Sequence, residues 1–559
     1  MGSKTKQSLI TGAAILGSAA LISKILGAFY RIPYQNITGD IGLAVYNKVY
    51  PLYSMLLILA TAGFPIAISK IVSERLAVGD KRGAKRVFII SAGILSVLGL
   101  VFFAALYFGS DKLAELMGNI NLSIAIKSVS FALLIVPVMA VLRGYYQGHQ
   151  YMTPTAISQV IEQIVRVITI LALSYIFMKN GRGVYYAGAG AVFGATTGAL
   201  FAFLVLLFYW KKVNSSEQES IADLSVAQQS EKESVWQITR KILYYSIPIA
   251  IGALVLPLLG VVDSFSVSNI LSYGATLTDN PFGTYLKGQA LVEYSEYWFG
   301  VFTRGQPLVQ FAAFFATSLF LALVPAISEA YAKNNVILIK KRTELALRIT
   351  LLIGLPASIG LAVLAEPVNI MLYRNNVGTG TMAILAFTTL FSTLFITSSG
   401  ILQGIGKVTL PAKNLLIGIV IKLLLNVVLV FFLHISGAAI ATVATYAVVT
   451  MLNISDINRH VGVKISLRTF FLRPALASLL MGVMVYLSKE ALENLLPLII
   501  SSERTSMALV AVISVGVGIF GFLISLFITG AMARADLEQL PRYGTKLLKI
   551  ADKFKMLRD

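Results

Sequence analysis

Apolar runs long enough to cross a hydrocarbon layer recur along almost the whole chain, separated by short polar stretches. A spanning helix needs about 20 such residues at roughly 1.5 Å of rise each. Runs of that length fall at 9–30, 48–70, 87–109, 123–146, 153–178, 185–210, 241–268, 306–331, 344–372, 379–403, 409–433, 435–455, 469–488 and 507–530. The pattern predicts an all-α polytopic membrane protein with fourteen transmembrane helices. Two of the intervening stretches are long. Lys211 to Arg240 is polar and rich in Ser, Gln and Glu, a linker composition. Ser268 to Gly305 carries Tyr, Trp, Glu293 and Glu296 and reads as more ordered, with a short interfacial helix.

The halves on either side of the linker resemble each other. Pro51-Leu52 followed by Ala60-Thr61 recurs as Pro307-Leu308 followed by Ala316-Thr317, and Ala67-Ile68-Ser69 recurs as Ala326-Ile327-Ser328. Gln147-Gly148 with Pro154 recurs as Gln403-Gly404 with Pro411. An ordered series at an offset of roughly 250 to 260 residues argues for a duplicated bundle. Six helices separate equivalent positions, so the copies run in the same direction, related by a pseudo-twofold along the membrane normal. The organisation expected is a six-helix lobe over 1–210, a cytoplasmic linker over 211–240, a second six-helix lobe over 241–455, and two extra helices with a basic cytoplasmic tail over 456–559.

Composition sharpens the picture. Hydrophobic residues make up 57% of the chain and charged ones 13%, which suits an integral membrane protein. The net charge of +20 invites a nucleic-acid reading. The cations lie mainly in loops of one side, among them KIVSERLAVGDKRGAKR, KKRTELALR and the tail from Arg534 to Arg558. Positive-inside bias explains that asymmetry without nucleic acid and puts both termini and the 211–240 loop in the cytoplasm. Cysteine is absent, which excludes disulfides, zinc-thiolate sites and thiol catalysis. His149, His434 and His460 are scattered, with no DxD or HxxxD motif around them. Neither a metal nor a cofactor is expected, and a membrane glycosyltransferase or acyltransferase is disfavoured.

Some charges fall inside the spans. Lys24 lies roughly 24 Å beyond Ser8 and Arg31 about 10 Å further, near the far rim, and the spacing of seven puts both on one helix face. A cation at depth costs on the order of 3 kcal/mol and usually faces a bundle interior or a water-filled cavity. The natural occupant of that cavity is an anion. The alternatives are that Arg31 snorkels to outer headgroups and that Lys24 pairs with an internal acid. Glu162 and Arg166, four apart, form either a self-neutralising pair or an anion contact in which Glu162 holds Arg166. Arg143 and Lys70, at inner helix ends, read as headgroup anchors.

The stretches SKILGAFYR, YPLYSMLLILATAGFPIAISKIVSE and RGYYQGHQYMTPTAISQVIEQIVR resemble the polysaccharide-biosynthesis branch of the MOP exporter superfamily, within it the MurJ-type lipid II flippases and stage V sporulation protein B-like proteins. The resemblance implies an alternating-access flippase for an undecaprenyl-diphosphate-linked cell-wall precursor in the bacterial plasma membrane. It also implies contact with the bilayer and with cell-wall polymerase machinery. The last two helices would form an apolar groove for the lipid tail. Lys24 matches the basic residue of the family's Ser-Arg-x-Leu-Gly stretch, with lysine for arginine, and Arg31 the next basic residue, displaced by one. The family's mid-helix arginine in the second helix has no counterpart here, since Lys48 lies nearer the outer end. Arg304 lies near the family's portal arginine.

The family sometimes binds sodium with an acid of helix seven and polar groups of helices eleven and twelve. In that neighbourhood this chain has Asp263, Asn426, Thr442 and Thr445, but also Lys422, whose ammonium is a built-in cation. A cation-coupled drug exporter of the MATE type shares the fold. It would need acids in the cavity, where the first helix carries only bases.

Overall fold

The structure, a computed structural model, describes residues 9–221, 233–277, 285–463 and 471–531. Among them every regular element is helical. Ten stretches among the described residues are long and apolar enough to cross a membrane, two of them, Ala14–Ala77 and Thr409–Val461, long enough to cross more than once. Part of the 211–240 linker (222–232), part of the 268–305 segment (278–284) and the basic tail from Arg534 lie outside the described residues.

The first reversal differs from the expected loop over 31–47. Helix Leu9–Phe29 runs almost without interruption into Arg31–Thr61, because Tyr30 keeps helical dihedrals. The chain turns back at Gly39, whose φ of 69° only glycine adopts readily. Tyr34 closes the turn by donating to the Gly42 carbonyl at 2.7 Å, and Gln35 donates to Asp40 at 3.1 Å. Arg31 therefore lies eight residues, about 12 Å of helix, short of the turn. The second arm breaks at Ala62–Gly63, where Gly63 has φ 82° and abuts the Ser246 backbone, then resumes as Phe64–Ala77.

The long loops are also shorter than expected. Helix Val184–Ile221 extends eleven residues past the predicted span end at 210, and Val235–Ala275 starts six before 241, capped by a reciprocal Ser234–Gln237 box. A helix does form in the 268–305 segment, at Gly288–Thr303.

Residue contacts divide the chain into two units, 1–300 and 301–559. In the first, helices Thr153–Lys179 and Val184–Ile221 pack closely along a glycine stripe. A Cβ on Gly194 would meet the Arg166 carbonyl at 2.9 Å, and one on Gly198 the Glu162 carbonyl at 2.6 Å. In the second, helix Thr409–Val461 folds back on itself at His434 (φ 55°), and Gly437 fits against the Leu429 carbonyl, 2.0 Å from where a Cβ would be. Helices Arg473–Leu495 and Glu503–Ile528 pack beside Val336–Val363, with an apolar cleft of about 440 Å³ bordered by Leu352, Pro356, Leu361, Met481 and Phe522.

Candidate functional site

In the first unit helix Leu9–Phe29 lies along Thr153–Lys179. Ser23 Oγ donates to the Gln159 carbonyl at 3.3 Å. One turn on, a Cβ on Gly27 would meet the Gln163 amide at 3.2 Å. Both sequence numbers rise by four together, so the helices are parallel and the next turn brings Arg31 level with Val167, the neighbour of Arg166. Two residues that the sequence places on separate spans thus reach the same depth.

Glu162 holds two arginines. Arg166 Nη2 donates to its Oε1 at 2.6 Å and Arg143 Nη2 to its Oε2 at 2.9 Å, while Arg143 Nε donates to Ser158 Oγ at 3.1 Å. The three side chains are 12% (Arg166), 14% (Arg143) and 15% (Glu162) exposed, so they are neither sealed in the core nor spread on the surface. Arg143 is therefore no headgroup anchor; its guanidinium turns inward because the carboxylate offers a partner that bulk lipid does not. Sequence reading missed it. The available signal was Glu162 itself, a buried acid with capacity for more than one arginine.

Other donors of the group are buried and unsatisfied. Arg31 Nε and Nη1 and Arg166 Nε are buried without a hydrogen-bond partner, as is the Tyr53 hydroxyl. Tyr46 and Tyr50 neighbour both guanidinium groups. Their rings stack at 5.3 Å, and Tyr30 donates to the Tyr46 hydroxyl at 2.5 Å. Three guanidiniums against one carboxylate leave an excess of positive charge. Lys24, on the same helix, is exposed.

Lys48 is wholly buried and pairs with Glu296 at 2.5 Å, also donating to the Met117 carbonyl at 3.1 Å and lying 5.4 Å from the Phe299 ring centre. This pair ties helix Gly288–Thr303 to the second arm of the first hairpin, and Gly300 touches the Asp40 carbonyl. Outside the spans, the hydrogen bond from Lys241, joined by the Arg75 charge, holds the Glu233 carboxyl below the usual carboxylate range. Glu233 thereby fastens the start of helix Val235–Ala275 to the end of Phe64–Ala77.

In the second unit Arg304 is 1% exposed. Its Nη1 donates to Asn375 Oδ1 at 2.7 Å, the Val377 carbonyl at 3.0 Å and Asn369 Oδ1 at 3.2 Å, and its guanidinium lies 5.2 Å from the Tyr373 ring centre. That set of partners organises the 373–379 turn. Lys422 and Asn426 are buried one turn apart on the face of the 409–433 arm that meets the returning arm, where Gly418 packs against Thr445 and Val449. Thr442 and Thr445 donate to the carbonyls of Ala438 and Ala441. Asp263 is buried in the first unit.

Residues 9–331 match the family model described as polysaccharide biosynthesis protein, and residues 292–428 match the MatE model. The chain is 33% identical to the membrane protein YabM of Bacillus subtilis, over 96% of each chain. It is 29% identical to the lipid II flippase MurJ of the same organism, over 96% of this chain and 98% of that one. A solved inward-closed structure of lipid II flippase MurJ superposes with a TM-score of 0.63 at 14% identity, covering 92% of this chain and 98% of that one.

Proposed function

Because the chain belongs to the polysaccharide biosynthesis protein family of the MOP superfamily, and is a lipid-linked flippase of that kind rather than an enzyme, we propose that it moves an undecaprenyl-diphosphate-linked cell-wall precursor, lipid II, from the inner to the outer leaflet by alternating access. The observation that carries the reading is the basic group in the first unit. Arg31 and Arg166 stand at one level inside a membrane bundle with buried N–H groups unsatisfied. Burying such charge is costly in hydrocarbon, and a diphosphate is the ligand whose oxygens and charge compensate it. Lys24 lies on the same helix as an additional cation for the approach of the headgroup. The apolar cleft beside the last two helices suits the prenyl tail.

The arrangement that goes with this function is fourteen spans, two parallel six-helix repeats and two further helices, in a bacterial plasma membrane with both termini cytoplasmic. A cell-wall polymerase on the outer side would consume the product. Arg304 acts in this scheme by holding the 373–379 turn. Lys422, with Asn426, Thr442 and Thr445 in the same unit, supplies the positive charge that a coupling cation would bring. A cation-exporting reading has the MatE match in its favour, yet a cationic cargo would be repelled by the three guanidiniums. Depletion of the protein in its host tests the proposal. Precursor accumulating on the inner leaflet supports it; accumulation on the outer leaflet, or none, refutes it.

A further inference from the structure

Among the described residues Glu162 is the carboxylate paired with the arginines of this site, and it engages two of them, Arg143 and Arg166, at once. Its Oε1 and Oε2 each accept from a different guanidinium, so it spans Arg143 on helix Ala132–Gly148 and Arg166 on its own helix. A simple intrahelical pair would need only Arg166. The helix behind it is in direct contact through Gly198, so the backbone of Glu162 is fixed and the side chain projects toward the arginines. Arg31, by contrast, keeps two buried N–H groups without partners. The group therefore has one part already neutralised and one part open.

We propose that Glu162 sets the charge of the ligand this site accepts: by holding Arg143 and Arg166 it lowers the positive charge of the site by one, and so favours a diphosphodiester over a terminal diphosphate. The inference rests on the proposed function. A lipid-diphosphate-sugar carries one negative charge on each phosphate, whereas a prenyl diphosphate with a free terminal phosphate carries about one more, because the second ionisation of a terminal phosphate falls near pH 6. In a low-dielectric site, charge left uncompensated on either partner is penalised. A loaded lipid and the bare carrier that remains after the sugar is removed differ in just this charge. Glu162 would repel the extra charge of the bare carrier and keep the site selective for the loaded one.

The test compares two soluble probes on the full chain in nanodiscs: farnesyl diphosphate, and farnesyl diphosphate esterified to N-acetylglucosamine. Dissociation constants are measured by calorimetry at pH 7.5 for wild type, Glu162→Gln and Arg143→Gln. Wild type is expected to favour the sugar diester. In Glu162→Gln the preference should move toward farnesyl diphosphate by about tenfold, equivalent to about 1.4 kcal/mol. In Arg143→Gln, which retains the Arg166–Glu162 pair, it should move the other way. Glu74→Gln, an exposed acid at the end of the first cytoplasmic helix arm, controls for general charge and should leave the ratio where it was. A ratio unmoved in both site variants would reduce Glu162 to a brace between helices and overturn the inference. If Glu162→Gln does not fold, the Arg143→Gln shift alone decides. A wild type that binds neither probe refutes the proposed function itself, whereas one that binds both with no preference refutes only this inference.

Discussion

Removing the charge at Lys48 should destabilise the first unit more than any surface substitution. Both members of the Lys48–Glu296 pair are 0% exposed, and Glu296 Oε2 already lacks a hydrogen-bond partner. Lys48→Met would leave Glu296 with no hydrogen bond in the described surroundings and remove the donor to the Met117 carbonyl. Breaking a buried pair on one side costs about 3–5 kcal/mol, because the remaining charge is stranded; replacing both members by apolar groups is often neutral. Lys48→Met and Glu296→Gln should each cost about 3 kcal/mol or more, and Lys48→Met/Glu296→Met much less than their sum. The assay is thermal unfolding in one detergent, with tryptophan emission as the probe. At about 2–4 °C per kcal/mol for a unit of this size, each single variant should melt at least 6 °C below wild type. Single variants within 2 °C of wild type, or strictly additive effects, would refute the claim that this pair fastens helix Gly288–Thr303 to the first hairpin.

Arg31→Gln should reduce transport at least tenfold at equal membrane abundance, with Arg31→Lys retaining part of it; complementation of a depleted host reads this. Lys24→Ala should impair transport while Lys24→Arg retains it, by the same assay. Transport by wild type should be independent of sodium, because an ammonium at Lys422 would repel a sodium ion by about 4 kcal/mol at 4 Å even with an effective dielectric near 20; activity in vesicles across a sodium series balanced with potassium tests it, and Lys422→Ala should lose activity at low sodium. The Glu233 carboxyl titrates below its unfolded value, so its clamp contributes above the ordinary carboxylate pKa and is lost as pH falls through the folded one. Thermal unfolding measured from pH 7 to 3 should show a loss on the acid side that Glu233→Gln removes.

The all-helical, membrane-spanning character was legible because a hydrocarbon solvent leaves little freedom: a run of about 20 apolar residues has few alternatives to a helix. Their ends were less so. At Gly39 the turn needs only one residue of positive φ, so a polar stretch such as RIPYQNITGD, which reads as a loop, continues as helix almost to the reversal. The pairing of Glu162 with Arg166 follows from a spacing of four, but the hold on Arg143 joins residues 19 apart in sequence, and only the packing of two helices reveals it. Lys48 and Glu296, 248 residues apart, had no local signal beyond a charge in a helix and another in a segment assigned to the outside. The cations in loops, by contrast, needed no structure to explain them.

The measurement that bears most directly on the central claim is flipping in a purified system. The full chain is reconstituted in liposomes that contain a fluorescent prenyl-diphosphate-disaccharide, and a membrane-impermeant quencher reports how much label remains on the inner leaflet over time. Wild type should expose the inner-leaflet label to the quencher far faster than protein-free vesicles, and Arg31→Gln/Arg166→Gln should not. Equal rates for wild type and protein-free vesicles, or unimpaired flipping by the double variant, would contradict the account.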